Sequence, residues 1–154
     1  MTRRQGYGIA LVRIVLGVIF VMHGYLGLAI IGPAGVAQYA IRTGVPADVA
    51  PVVAWYMIVA HLAGGALLII GLWTVLAALV QVPIMAAAVF LIHLPQGFFM
   101  RGIVTDAAAG RAIAGGYEFT LLVLAATLAV ALTGPGALSV DDTRRHRPRK
   151  FQMP

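Results

Sequence analysis

The chain has 154 residues, a length that suits one domain. Hydrophobic residues make up 61% of it and charged residues 10%, whereas ordinary soluble domains have about 45–50% and about 25%. The formal net charge of +6 comes from basic residues at the two ends and in loops, which is typical of a membrane protein and argues against nucleic-acid binding. The absence of cysteine excludes disulfides and thiolate chemistry. The composition predicts an integral membrane protein in contact with the lipid bilayer.

Apolar stretches in chain order predict transmembrane helices at about residues 9–31, 52–72, 74–94 and 117–132. Most of them approach the ~20 residues that span a hydrocarbon core of about 30 Å. Lipid offers backbone groups no water to bond, so these segments should be helical. We therefore predict an all-α fold, a four-helix transmembrane bundle over residues 1–140, followed by a basic, flexible tail over residues 141–154.

Glycine and proline mark the boundaries of these spans. The sequence "GPAG" (32–35) predicts the end of the first span, and Asp48 is a candidate helix N-cap before the second. The short "GLWT" (71–74) predicts a tight turn, so the second and third spans should form an antiparallel hairpin. Pro83 predicts a kink in the third span, and "GPG" (134–136) closes the fourth.

The distribution of basic residues predicts the orientation. Arg3 and Arg4 precede the first span, and "RRHRPRK" (144–150) follows the last one. Four spans place both ends on one side, and the positive-inside rule makes that side the cytoplasm. We predict that the N- and C-termini are both cytoplasmic.

Polar residues inside the apolar spans are the candidate functional residues, because ionisable groups are costly in lipid. They are His23 in the first span, His61 in the second, Gln81 and His93 in the third, and Glu118 in the fourth. At 1.5 Å per residue, His23 and His61 lie roughly 12–14 Å below the outer boundary, and His93 and Glu118 roughly 2–5 Å below it. This predicts an outward-facing pocket with His23 and His61 at its floor and His93 and Glu118 at its mouth.

Each of these residues also has a structural interpretation. His23 and His61 can form hydrogen bonds between helices, and His93 can be hydrated at the interface. We expect Gln81 to bond between helices and Arg13 to extend its charged end to the cytoplasmic interface.

Three kinds of chemistry suit the polar set. His23, His61 and His93 are candidate ligands of a transition metal. Two histidines on different helices can hold a haem. A histidine beside an acid can bind a quinone headgroup and exchange its protons. We take His23, His61 and Glu118 as candidate catalytic residues and these three with His93 as candidate cofactor-binding residues, although no known spacing motif accompanies them.

Small residues predict that the helices approach closely. Ala60 and Gly64, on either side of His61 in the sequence, form a small-xxx-small pair. Gly17 and Gly24 play the same role in the first span. Close approach of these helices would bring His23 and His61 together.

Together, four segments of the chain resemble the DoxX family of four-helix bacterial membrane proteins. The segments are "LVRIVLGVIFVMHG" (11–24), "LAGGALLIIGLWT" (62–74), "HLPQGFF" (93–99) and "GGYEFTLLVLAATLAVALTGPGALSVD" (115–141). The resemblance implies a multi-pass protein of the bacterial plasma membrane, linked to redox physiology. It also implies protein partners in a membrane redox complex, because the family's name traces to a subunit of a thiosulfate:quinone oxidoreductase.

The resemblance places His23, His93 and Glu118 where the family tends to keep polar residues. His61 departs from the pattern, because relatives commonly have an acid ahead of the glycine pair corresponding to residues 64–65. The leading hypothesis is a membrane component of a redox system that engages a quinone, haem or metal centre from the outer side. The alternative is a non-catalytic anchor or scaffold subunit of a larger complex, and a third reading is a small transporter or channel. A bundle this small can also associate into oligomers in lipid.

Overall fold

The computed structural model describes residues 2–99, 104–106, 111–113 and 116–145. Helices make up most of this part of the chain, and the α-helices are α1 Arg3–Tyr25, α2 Gly32–Arg42, α3 Ala50–Val59, α4 Gly65–Ile70, α5 Thr74–Ala87, α6 Glu118–Thr133 and α7 Val140–Arg145. π-Helical segments continue α1, α3 and α5 over Leu26–Ile31, Ala60–Gly64 and Ala88–His93, and a 3₁₀ turn follows at Leu94–Gln96. Two short antiparallel strands, β1 Val104–Asp106 and β2 Arg111–Ile113, pair between α5 and α6.

Three continuous helical stretches of the described chain are long and apolar enough to cross a membrane. They are Arg3–Arg42, Ala50–Ile70 and Thr74–Gln96. The prediction of long apolar helices is therefore confirmed for the first three spans. The fourth predicted span is the apolar helix α6, whose 16 residues extend about 24 Å at 1.5 Å per residue.

The first stretch continues beyond the predicted end of its span. Gly32 adopts a φ of 77°, which redirects the chain without ending the helical region, and Pro33 lies in the first turn of α2. Apolar residues of α2 then pack against α3 in one cluster of Val36, Ala37, Ala40, Ala50, Ala54 and Ile58. Because these side chains repeat at helical spacing, the segment between the first two predicted spans is largely helical. The predicted N-cap is also wrong, since Val49 rather than Asp48 precedes α3 and no side chain caps it.

Glycines bring α1 and α4 into backbone contact, as predicted. A Cβ atom added to Gly17 would lie 2.7 Å from the Gly65 carbonyl oxygen, and one added to Gly65 would lie 2.8 Å from that of Gly17. No larger residue fits at either position without separating the helices. The main core lies alongside this contact and consists of Leu16, Phe20, Leu68, Ala77, Ala78, Met85, Val89, Val123, Leu124 and Val130.

Arg13 is fully buried at what we call the tail end, formed by the start of α1, the α4–α5 turn and residues 134–145. Its Nη1 donates to the carbonyl oxygens of Leu68 at 2.7 Å and Ile69 at 3.3 Å. Its Nη2 donates to those of Leu138 at 2.8 Å and Ala137 at 3.4 Å. The last carbonyls of a helix lack intrahelical partners and attract cations, so α4 ends on this guanidinium. The expectation that Arg13 extends to the interface is therefore wrong.

Asp141, also at the tail end, caps the start of α5. Its carboxylate accepts hydrogen bonds from the backbone N–H groups of Trp73 at 3.0 Å and Thr74 at 2.9 Å. Burial raises the pKa of Asp141, but the hydrogen bonds from Thr74 and Trp73 and the charge of Arg144 outweigh it and hold the pKa below its usual value. The start of the predicted tail is thus an ordered part of the fold, and residues 146–154 lie outside the described residues.

Candidate functional site: a cavity lined by histidines

A cavity of about 530 Å³ lies between the helices at the end opposite the tail end. Side chains from α1, α2, α3, α5 and α6 and from two of the π-helical segments form its wall. His23, His61 and His93 all line it. The fold therefore brings the three histidines of the predicted site, which come from three different helical stretches, to one cavity.

Among the three histidines, His23 and His61 have rings that lie close to each other. Their ring centroids are 6.3 Å apart with an interplanar angle of 56°. The ring of Phe20 packs edge-on against His61 at 5.3 Å. The Nδ1 of His23 lies 2.9 Å from the Ile19 carbonyl oxygen, which can only accept, so Nδ1 carries the proton. In the neutral ring Nε2 is then left as an acceptor.

Two of the cavity histidines lie in π-helical segments, His61 in Ala60–Gly64 and His93 at the end of Ala88–His93. A π turn contains one residue more than an α turn, and such turns are frequent at functional sites. The Nδ1 atoms of both rings are buried and have no hydrogen-bond partner among the described residues. The Met57 carbonyl, one turn before His61, interacts with that ring without meeting hydrogen-bond geometry. An unpaired buried nitrogen is costly, so these two atoms mark polar positions that the described residues leave unsatisfied.

The rest of the cavity wall is mostly apolar. Besides the three histidines, the wall contains four side chains with hydroxyl groups, which are Tyr39, Thr43, Tyr56 and Thr120. None of the described lining residues is Asp, Glu, Lys or Arg. A charged ligand would lose its hydration here without gaining a counter-ion, so the wall suits a neutral, largely apolar molecule with hydrogen-bonding groups.

Glu118 begins α6 beside the cavity and is partly buried. Its backbone N–H donates to the Phe98 carbonyl oxygen at 3.1 Å, and that of Tyr117 donates to the Gly97 oxygen at 3.0 Å. These bonds join the "HLPQGFF" segment to the start of α6, and the two residues after Glu118 line the cavity. A role for the Glu118 carboxylate at the cavity mouth stays a prediction.

The geometry favours a hydrogen-bonding ligand over a metal ion. Within the described part of the chain, no three His, Cys, Asp or Glu side chains come together as a group that could hold a metal. Catalytic zinc sites have three protein ligands about 2 Å from the ion. A metal centre on His23, His61 and His93 therefore stays a prediction, and it would require these side chains to move.

Sequence reasoning missed the part of the wall that α2 supplies. Tyr39 on α2 and Thr43 directly after it line the cavity from between the first two predicted spans, where no helix was predicted. The signal that could have found this helix is the helical spacing of Val36, Ala37 and Ala40 just after the glycine and proline residues.

Comparison with known protein families gives a match. The model of the DoxX family matches residues 8–94, which is more than half of the 154-residue chain and includes all three cavity histidines. No match is found among curated proteins or among solved structures. The matched range contains the three long apolar helical stretches apart from their outermost residues. This protein is a membrane protein that belongs to the DoxX family.

Proposed function

We propose that the protein is a membrane component of a redox system and binds a quinone in the cavity lined by His23, His61 and His93. The observation that carries this proposal is the pairing of an uncharged, mostly apolar wall with three histidine side chains that line the same cavity. A quinone headgroup is a flat, neutral ring with two carbonyl acceptors. Imidazole N–H groups can donate to such carbonyls, and the apolar wall suits the ring and its hydrocarbon substituents.

The three histidines would divide the work. His61 and His93 would hold the headgroup through ring N–H groups that reach the cavity. A bound quinone supplies two-electron, two-proton redox chemistry. His23 is exposed and lies beside His61, so it would pass protons between that ring and the surface.

We further propose that α6 is a fourth span and that both tails are cytoplasmic. The start of α6 is bonded to Gly97, at the end of the third stretch, through Tyr117. After α6, the N–H of Asp141 donates to the Gly71 oxygen at 3.0 Å, in the turn just before the third stretch. These bonds support a helix that runs the full length of its neighbour in spite of its 16 residues. With basic residues near both termini, the cavity would open to the extracytoplasmic side of a bacterial plasma membrane.

The test is to purify the protein in mild detergent and measure bound quinone by organic extraction, together with an optical spectrum and elemental analysis. We expect near-stoichiometric quinone in the wild type and its loss in His61→Ala. Met22→Ala is the matched control, because Met22 is exposed next to His23 and does not line the cavity. Size-exclusion profile and thermal unfolding should match among all three proteins.

Other outcomes would replace this proposal. A haem band or a stoichiometric metal would assign that centre to the cavity instead. Absence of quinone, haem and metal, with no binding of added decylubiquinone, would contradict a cofactor site and favour the scaffold function. A stoichiometric protein partner would then be expected to purify with the chain.

A further inference from the structure

The second and third helical stretches exchange two side-chain hydrogen bonds beside His61. The hydroxyl of Tyr56 donates to the Val80 carbonyl oxygen at 2.7 Å. In the opposite direction, the Nε2 of Gln81 donates to the Ala60 carbonyl oxygen at 2.6 Å. As predicted, Gln81 bonds between helices, and its partner is the residue directly before His61.

The Ala60 acceptor carbonyl lies where a helix departs from regular α geometry. Ala60 opens the π-helical segment Ala60–Gly64, in which hydrogen bonds change to i→i+5 spacing. In an apolar interior, backbone groups at such an irregularity need donors from a neighbouring helix, and Gln81 supplies one. Tyr56 adds a second hydrogen bond between the same two helical stretches.

Gly64 provides the space that Gln81 occupies. A Cβ atom at position 64 would lie 2.7 Å from the Gln81 Nε2. The Gln81 side chain is fully buried, and its Oε1 has no partner among the described residues. A buried amide with one unsatisfied polar atom costs stability compared with an apolar side chain of similar size. Residues of this kind are expected where a specific geometry is required.

We propose that Gln81, supported by Tyr56, is a positioning residue that maintains the π-helical segment and thereby holds the His61 ring in the cavity. If this segment relaxed to α geometry, one residue would leave the turn, and the helix on either side would rotate by about 100° relative to the other. The His61 ring would then lose its contact with Phe20. The positioning role concerns geometry alone, and its consequence for ligand affinity rests on the proposed quinone function.

The experiment compares ring contacts in isotopically labelled protein. Wild type should show an NOE between the rings of Phe20 and His61, whose centroids are 5.3 Å apart. Gln81→Leu removes the donor, and Gly64→Ala displaces it. Both should lose this NOE, shift the His61 ring ¹⁵N signals and weaken decylubiquinone binding at least tenfold. Gln38→Leu is the matched control, because Gln38 is exposed on α2 and should change none of these readouts.

Tyr56→Phe provides a milder variant that removes one hydroxyl, in case the Gln81 and Gly64 variants fail to fold. It should weaken the Phe20–His61 NOE in a protein that unfolds at nearly the wild-type temperature. An unchanged NOE and unchanged ring signals in folded Gln81→Leu or Tyr56→Phe would overturn the positioning role. A wild type that binds no decylubiquinone would overturn the proposed function, while the ring contacts would still decide the positioning role.

Discussion

The imidazole rings of His23 and His61 lie 6.3 Å apart, although they come from different helices and are separated by 37 intervening residues. The ring of His61 is in edge-on contact with Phe20, whereas His23 is exposed at the cavity edge. Two rings at this distance can act on one bound molecule. Their contributions to its binding should therefore be coupled.

A double-mutant cycle with decylubiquinone tests this coupling. His61→Ala should weaken binding by about tenfold or more, the equivalent of about 1.4 kcal/mol, because it removes a buried donor. His23→Ala should weaken it less, and the double variant should lose less than the sum of the two effects. Pairing His61→Ala with Arg4→Gln serves as the control, because Arg4 is exposed at the tail end and its effect should be additive. Strict additivity of the histidine pair would contradict a shared ligand.

The membrane topology can be mapped directly, because the chain has no native cysteine. We expect Ala47→Cys, in the exposed turn before α3, to react with an impermeant maleimide added to intact cells. Thr2→Cys and Thr143→Cys should react only in inverted vesicles, because they would lie on the cytoplasmic side. Labelling of Thr143→Cys together with Ala47→Cys would mean that α6 does not cross the membrane.

Removal of the buried guanidinium at the tail end should destabilise the fold strongly. Arg13→Leu deletes four hydrogen bonds to carbonyl oxygens and leaves those oxygens without a donor. Hydrogen bonds to charged groups contribute roughly 1.5–3 kcal/mol each, with incomplete additivity, so a loss of about 3 kcal/mol or more is expected. The effect is measured by thermal unfolding in detergent, with tryptophan fluorescence as the readout.

Two further variants sharpen this test. Arg4→Leu changes an exposed arginine of the same helix and should unfold as the wild type does. Arg13→Lys should be intermediate, because an ammonium cannot reproduce the planar fork that reaches both α4 and residues 137–138. A wild-type melting temperature for Arg13→Leu would show that α4 does not depend on this cap.

Asp141 should make stability depend on pH in the acidic range. Its folded-state pKa is lowered, so its contribution is complete above the unfolded-state value of about 3.9 and is lost as the pH falls through the folded-state pKa. Asp141→Asn should therefore destabilise the protein by about 1 kcal/mol at neutral pH, as loss of a helix cap does. The difference from wild type should shrink on acidification, as measured by thermal unfolding over a pH series.

Asp48→Asn is the control for this series. Asp48 is exposed and lies before α3, which no side chain caps. This variant should follow the wild type at every pH. A pH-independent difference between wild type and Asp141→Asn would mean that the carboxylate charge is not what caps α5.

Local features of the sequence were sufficient for the second and third helical stretches. The predicted spans at 52–72 and 74–94 correspond to Ala50–Ile70 and Thr74–Gln96, with the predicted turn between them. The helix α2 was missed because a glycine–proline pair is typical of a loop, whereas here Gly32 only redirects the chain. The contacts of Arg13 were missed because its partners come from residues 68–69 and 137–138, far away in the sequence.

By itself, the sequence determined that this is a membrane protein with long apolar helices, because the cost of placing backbone and charge in lipid depends only on local composition. The tertiary structure alone decided that His23 meets His61, that Arg13 caps α4 and that Asp141 caps α5. The physical reason is that a helix apolar on every side has no hydrophobic face to set its rotation. Which polar side chains point at one another therefore follows from the close packing of small residues such as Gly17 and Gly65, and from the irregular turns that re-aim His61 and His93.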